Sequence, residues 1–166
     1  MSGSVPSAED VFKTLNDYAV SYIVVGGIAA LMHSSPYPTF DTDVCPETSR
    51  ENLDRLASAL RQMNARIFTD AVPEGLPFSP DASFLAENPI LNLITDFGRV
   101  DLISMPAGSQ GYPDLARDAI TVMIDDLPVK VASLPDVIRT KAAVTSRDDP
   151  SLPVLREILE RSRRRS

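Results

Sequence analysis

The strongest periodic signal in the chain begins near residue 48. Leu53, Leu56, Ala57, Leu60 and Met63 recur at helical spacing behind a capping-box pair, Thr48 and Glu51, and predict an amphipathic helix with one buried stripe. Val11, Phe12, Leu15, Tyr18 and Ala19 predict an earlier helix over about 8–19, opened near Ser7 and Asp10. Between them, residues 22–25 form a short β-branched and aromatic run that Gly26-Gly27 ends too soon for a helix, so a buried strand is predicted. A short helix over 28–33 would start on those glycines. Pro36 and Pro38 would end it and force an extended approach into a second strand over 40–45.

Beyond the capped helix, residues 66–69 suggest a short strand. The stretch to about 88, with Pro73, Gly75, Pro77 and Pro80, reads as a long loop of the kind that serves as a lid or a substrate-facing insertion. Residues 90–97 and 99–104 are strand-like runs around Gly98, with Asp96 read as a turn residue. A loop over 106–112 and a short helix over 113–119 lead to a hairpin, 120–124 and 129–131, around Asp125-Asp126. Ser133, Pro135 and Asp136 open a helix running to about 145, and Asp149 caps a last one carrying Leu152, Val154, Leu155, Ile158 and Leu159. This order predicts an α+β fold: a mixed β-sheet with helices packed on one face and a short helical C-terminal part. The core would span 1–132 and the helical extension 133–166, packed together as one compact domain.

Composition narrows the class. A chain of 166 residues, 43% hydrophobic and 23% charged, can bury a real core, roughly two-thirds of its unfolded surface. No apolar run approaches the ~20 residues a membrane span needs. The N-terminus lacks the basic and apolar regions of a secretory signal, and the single Cys45 has no internal disulfide partner, so the cytoplasm is expected. The formal charge of −7 argues against a broad basic surface for nucleic acid, although four arginines gather within the last six residues.

The candidate chemistry lies in two aspartates. Asp41 and Asp43, two apart on a predicted strand, point to the same face, and a divalent hard cation such as Mg²⁺ would relieve their repulsion while bridging them to phosphates. The Gly26-Gly27 turn offers bare backbone N–H groups to a phosphate, or is simply a tight strand-to-helix turn. Asp101 interrupts an apolar strand and needs a cation or hydrogen-bond partner; near the first pair it would complete a three-carboxylate set able to hold metal and help deprotonate a hydroxyl. Lys141 falls on the inward stripe of its helix, where it either snorkels to the rim or meets a triphosphate. His33 reads as a helix-end residue, Cys45 as an inert, partly buried thiol, and Tyr37 as a packing residue or a stacking surface for a base.

Four stretches together, VVGGIAALMH, PTFDTDV, FGRVDLIS and VASLPDVIRTKAAVTSRDDPSL, resemble the nucleotidyltransferase superfamily with the DNA-polymerase-β-type core. They are most similar to small bacterial members grouped with AbiEii and MenT toxins, over about residues 10–160. The resemblance implies metal and catalytic roles for Asp41, Asp43 and Asp101, with nucleotide contacts from Gly26, Gly27, Thr39, Lys141 and Arg147. It implies two Mg²⁺ ions and an NTP substrate. The expected enzyme is toxin-type, transferring a nucleoside monophosphate to tRNA or protein, with a small molecule as the other acceptor class and a cognate antitoxin as the implied partner. Gly27 departs from the serine of polymerase-like members, Arg147 stands where lysine is common, and the larger toxins carry more C-terminal helix. An antibiotic-modifying enzyme and a non-catalytic nucleotide-binding module are the alternative readings.

Overall fold

The computed structural model describes residues 8–34, 41–144 and 150–165. The elements run α1 (Ala8–Asp17), β1 (Tyr22–Val25), α2 (Gly26–Met32), β2 (Asp41–Pro46), α3 (Arg50–Gln62), β3 (Arg66–Ile67) and α4 (Ala82–Glu87). They continue as β4 (Ile90–Thr95), β5 (Gly98–Ile103), α5 (Tyr112–Ala116), β6 (Ile120–Ile124), β7 (Leu127–Val131), α6 (Leu134–Val144) and α7 (Ser151–Arg165). The strands form one seven-stranded sheet in the order β3-β4-β5-β2-β1-β7-β6. It is mixed, as predicted: β2 pairs with β5 and β1 with β7 in parallel, and the remaining ladders are antiparallel.

Alternation along the strands divides the sheet into two unlike faces. Tyr22, Val24, Thr42, Val44, Val100, Leu102, Leu91 and Leu93 share one face through the register of β1, β2, β5 and β4, and all are buried. Helix α1 covers it: Phe12 stacks on Tyr22 with ring centroids 6.2 Å apart, and Val11, Phe12 and Leu15 are buried beneath it. The α3 stripe predicted from spacing, Leu53, Leu56, Ala57, Leu60 and Met63, is wholly buried in the same core. One polar residue fastens α3 to the sheet. Asn52, fully buried, donates from Nδ2 to the Ser21 and Glu47 carbonyls at 3.0 and 2.7 Å and accepts from the Ser21 N–H at 2.8 Å. Every polar group that its burial takes out of water is thereby matched.

Two local expectations need correction. The N-cap of α3 is Ser49, whose hydroxyl accepts from the Asn52 N–H at 3.2 Å, not Thr48. The proline-bearing stretch after β3 is not one loop, because Asp81 caps α4 by accepting from the Phe84 N–H at 2.8 Å. Ala82 and Leu85 of α4 are buried and the helix packs on α3, so this half of the segment is docked rather than poised as a lid. The proposed cap Asp149 lies outside the described residues, as does Tyr37. His33 sits at the C-terminal end of α2 as expected, with Nε2 2.8 Å from the Ala132 carbonyl oxygen.

Candidate active site

The other face of the sheet carries the acids. In the parallel β2–β5 ladder Asp41 lies opposite Arg99 and Asp43 opposite Asp101, so the two strands project three carboxylates and one guanidinium to the same side. The sheet therefore brings Asp101 beside the first pair. The predicted face for Asp101, shared with Ile103 and opposite Leu102, is the observed one. Asp96 remains a turn residue. Its carboxylate accepts from Asn64 at 3.3 Å and pairs with Arg66 at 3.5 Å, on the β3–β4 side of the sheet.

Gly26 sets how closely these groups meet the helix. Val25 is the register partner of Asp43, and the next residue turns at φ +69° into α2. A Cβ on Gly26 would collide with the Asp43 carboxylate, its Cγ being 2.9 Å away, so both the backbone angle and the close approach demand glycine. The strand-to-helix glycine thus admits an acid against the first turn of α2.

Crowding shapes the ionisation of the site. Loss of hydration pushes the Asp43 carboxyl up to about 7, and the neighbouring charges of Asp101 and Asp41 act in the same direction. Burial also raises Asp101, although Arg99 opposes this through an ion pair at 3.2 Å. The two carboxyls lie opposite each other in the β2–β5 register, and the proximity of like charge raises Asp43 further. Arg99 is the residue that sequence reasoning missed. Its guanidinium stacks 3.7 Å above the Phe68 ring centroid and pairs with Asp101, which fixes the orientation of that carboxylate. The signal was present in the spacing, since residue 99 is two before Asp101 and must share its face.

A cleft of about 410 Å³ opens beside these acids. Of the three acids Asp43 lines it, together with Gly26 and Gly27 of α2 and Thr140, Lys141 and Val144 of α6. Helix α6 starts where Ser133 and Asp136 predicted, the Ser133 hydroxyl accepting from the Asp136 N–H at 3.2 Å. It is held by Arg139, which bridges Asp114 of α5 at 3.1 Å and Asp136 at 3.0 Å. The 106–111 loop also presses on it: a Cβ on Gly108 would lie 3.1 Å from both the Ala143 Cβ and the Arg139 carbonyl oxygen. Lys141 is therefore brought to the same cleft as Gly26, Gly27 and Asp43. Thr39 and Arg147 lie outside the described residues.

The donor set suits a hard cation. Asp43 Oδ1 is buried without a hydrogen-bond partner, an oxygen acceptor directed among other carboxylates. Among the described residues no three acidic, histidine or cysteine side chains are yet closed into a metal-ligating cluster. Cys45 is apart from this chemistry; burial pushes its thiol up to about 12, and Sγ donates weakly to the Ser104 carbonyl at 3.6 Å.

No protein-family model and no curated protein matches the sequence. Solved structures do. The chain is similar to the antibiotic-resistance factor ANT(2'')-Ia, with a TM-score of 0.56 and 13% identity over 93% of this chain and 81% of that one. It is similar to the lincosamide antibiotic adenylyltransferase LnuA in its lincomycin-bound form, with a TM-score of 0.57 and 12% identity over 94% and 98% of the two chains. A Thermotoga maritima protein provisionally assigned as a nucleotidyltransferase gives a TM-score of 0.53 at 14% identity over 95% and 88%. These likenesses establish the fold as α+β, with the mixed sheet and packed helices described above.

Proposed function

We propose that this chain is a Mg²⁺-dependent nucleotidyltransferase that moves a nucleoside monophosphate from an NTP to an acceptor hydroxyl. One observation carries the reading. Asp41, Asp43 and Asp101 share one sheet face, and Asp43, with its unpartnered buried oxygen, opens into a cleft that Lys141 also lines. Asp41, Asp43 and Asp101 would hold the metal, which when bound would supply charge neutralisation for the phosphates and among the three carboxylates.

The remaining work falls to side chains and backbone. Gly26 and Gly27 leave room for a triphosphate in the cleft, and Lys141 meets it as a point charge. Thr39 and Arg147 are proposed as further nucleotide contacts on the sequence resemblance alone. Asp101, oriented by Arg99, takes the proton from the attacking hydroxyl. The acceptor oxygen bonds to the α-phosphorus, the bond from that phosphorus to the bridging oxygen breaks, and pyrophosphate leaves with the electron pair.

A small-molecule acceptor fits the charge best. The net charge is −7 and, among the described residues, Lys141 is the one basic side chain that lines the cleft, a poor grip for a polynucleotide. The structural likeness to ANT(2'')-Ia and LnuA, enzymes of antibiotic modification, supports the same choice. A second reading, a toxin acting on tRNA or protein and restrained by an antitoxin, draws on the sequence resemblance. It also draws on the three arginines, Arg163, Arg164 and Arg165, in the last turn of α7. Each NTP labelled at the α-phosphate, with Mg²⁺, is to be offered hydroxyl-bearing small molecules, total tRNA and protein in turn. Label in the first supports the main reading, label in the others supports the second, and no label in any pool overturns both.

A further inference from the structure

The cleft has one wall that the proposed nucleotide chemistry does not use. Ile90, Met105 and Val144 are 64%, 61% and 69% exposed, and no other large apolar side chain among the described residues is as open to water. All three line this one cleft, together with Ile103 and Pro106. Isolated exposed apolar residues are ordinary, but the most exposed ones converging on a single concavity mark a binding surface.

The register places this wall on the acceptor side. Ile103 follows Asp101 by two residues on β5, so it shares the face of the carboxylate assigned to the attacking hydroxyl, and Ile90 is its cross-strand partner on β4. Gly26 and Gly27, proposed for the triphosphate, belong to α2, whereas Ile90 and Ile103 belong to β4 and β5 and Met105 follows β5. Charge narrows the class further. Among the described residues of the lining Asp43 is the single carboxylate and Lys141 the single cation, and most of the described lining is apolar, which favours an uncharged body over a polycation or a polyanion. A wall of aliphatic and thioether surface instead gains from covering a neutral apolar body.

We infer that Ile90, Ile103, Met105 and Val144 form an acceptor subsite for an uncharged small molecule with an apolar or aromatic body and a hydroxyl that reaches Asp101. The inference rests on the nucleotidyl-transfer reading for the word acceptor, but binding at the wall can be measured without turnover. The test uses the full chain labelled at its methionine methyl groups, with the Met105 signal assigned by Met105→Leu. Met123, 58% exposed on the β6 edge and outside the cleft lining, serves as the control.

4-Nitrophenyl β-glucoside is the neutral aryl probe, compared with glucose, tobramycin and Mg-ATP. The glucoside is expected to move the Met105 signal saturably and leave Met123 in place, while glucose and tobramycin move neither. Ile90→Ser and Val144→Ser, both at exposed positions, should each weaken that binding about fivefold or more without changing Mg-ATP affinity. Equal response of Met105 and Met123 to the glucoside would overturn the subsite. So would displacement of the glucoside by Mg-ATP with the same Met105 shift, which would assign the wall to the nucleobase, or a matching response to tobramycin. Mg-ATP affinity measured by calorimetry reports on the nucleotide reading separately, so its loss and the loss of the apolar subsite are distinguishable.

Discussion

Removing the Asp43 charge should stabilise the metal-free protein, and by an amount that depends on pH. Folding raises this carboxyl from 3.8 to about 7, chiefly because β2, β5 and α2 strip its water. A carboxyl raised on folding contributes stability that is complete below its unfolded value and is lost as pH climbs through the folded one. At about 1.4 kcal/mol per pH unit the full loss is about 4 kcal/mol. Residual solvent access and the coupled ionisation of Asp101 beside it reduce it to roughly 2–4 kcal/mol. Asp43→Asn retains the shape but never ionises, so its advantage over wild type should grow from near zero at pH 4 to that full value at pH 8. For a chain of this size each kcal/mol is about 2–4 °C in melting temperature. Thermal or urea unfolding in EDTA at pH 4, 6 and 8 measures it directly. Mg²⁺ added at pH 8 should recover most of the wild-type deficit and leave the variant unmoved. An Asp43→Asn protein no more stable than wild type at pH 8, or one favoured equally at every pH, refutes the reasoning.

Arg99→Met should free Asp101 from its ion pair, raise that carboxyl further and move the acidic limb of the pH–rate profile to higher pH, which a rate series from pH 5 to 9 would detect. Gly26→Ala should cost about 1–3 kcal/mol in denaturant unfolding and abolish cation binding, because the new methyl strikes the Asp43 carboxylate in a backbone region that alanine avoids. Ser49→Ala should lower stability by about 1 kcal/mol while Thr48→Ala changes it little, since Ser49 alone caps α3. Leu56→Ala, at a side chain 1% exposed in the α3 stripe, should cost about 2–5 kcal/mol by the same measurement.

How much of this was legible without coordinates follows from how local each cause is. The α3 stripe, the β1 run stopped by two glycines and the β4–β5 hairpin are set by neighbours within a few residues, and all were readable. The common face of Asp41 and Asp43 needed only the two-residue period of a strand. Helix α4 was not readable because six residues between prolines have little helical stability of their own. Its existence depends on burying Ala82 and Leu85 against α3, a tertiary fact. Spacing suggested Thr48 as the cap because it stands three before Glu51, but the hydroxyl that reaches an orphan N–H belongs to its neighbour. The pairing of Asp43 with Asp101 depends on a parallel β2–β5 ladder between distant segments, which no local pattern encodes. Arg99 was overlooked for a different reason: the alternation that located Asp101 was not carried two residues back.

The central claim is that the acids on β2 and β5 run nucleotide transfer. It is tested most directly by following pyrophosphate release and label transfer from α-phosphate-labelled NTP with Mg²⁺, using wild type, Asp41→Asn, Asp43→Asn and Asp101→Asn in parallel. The account predicts transfer to an acceptor hydroxyl by wild type alone, with each folded variant at least about a thousandfold slower. Transfer persisting at the wild-type rate in Asp43→Asn, or no transfer by wild type to any acceptor pool, would contradict it.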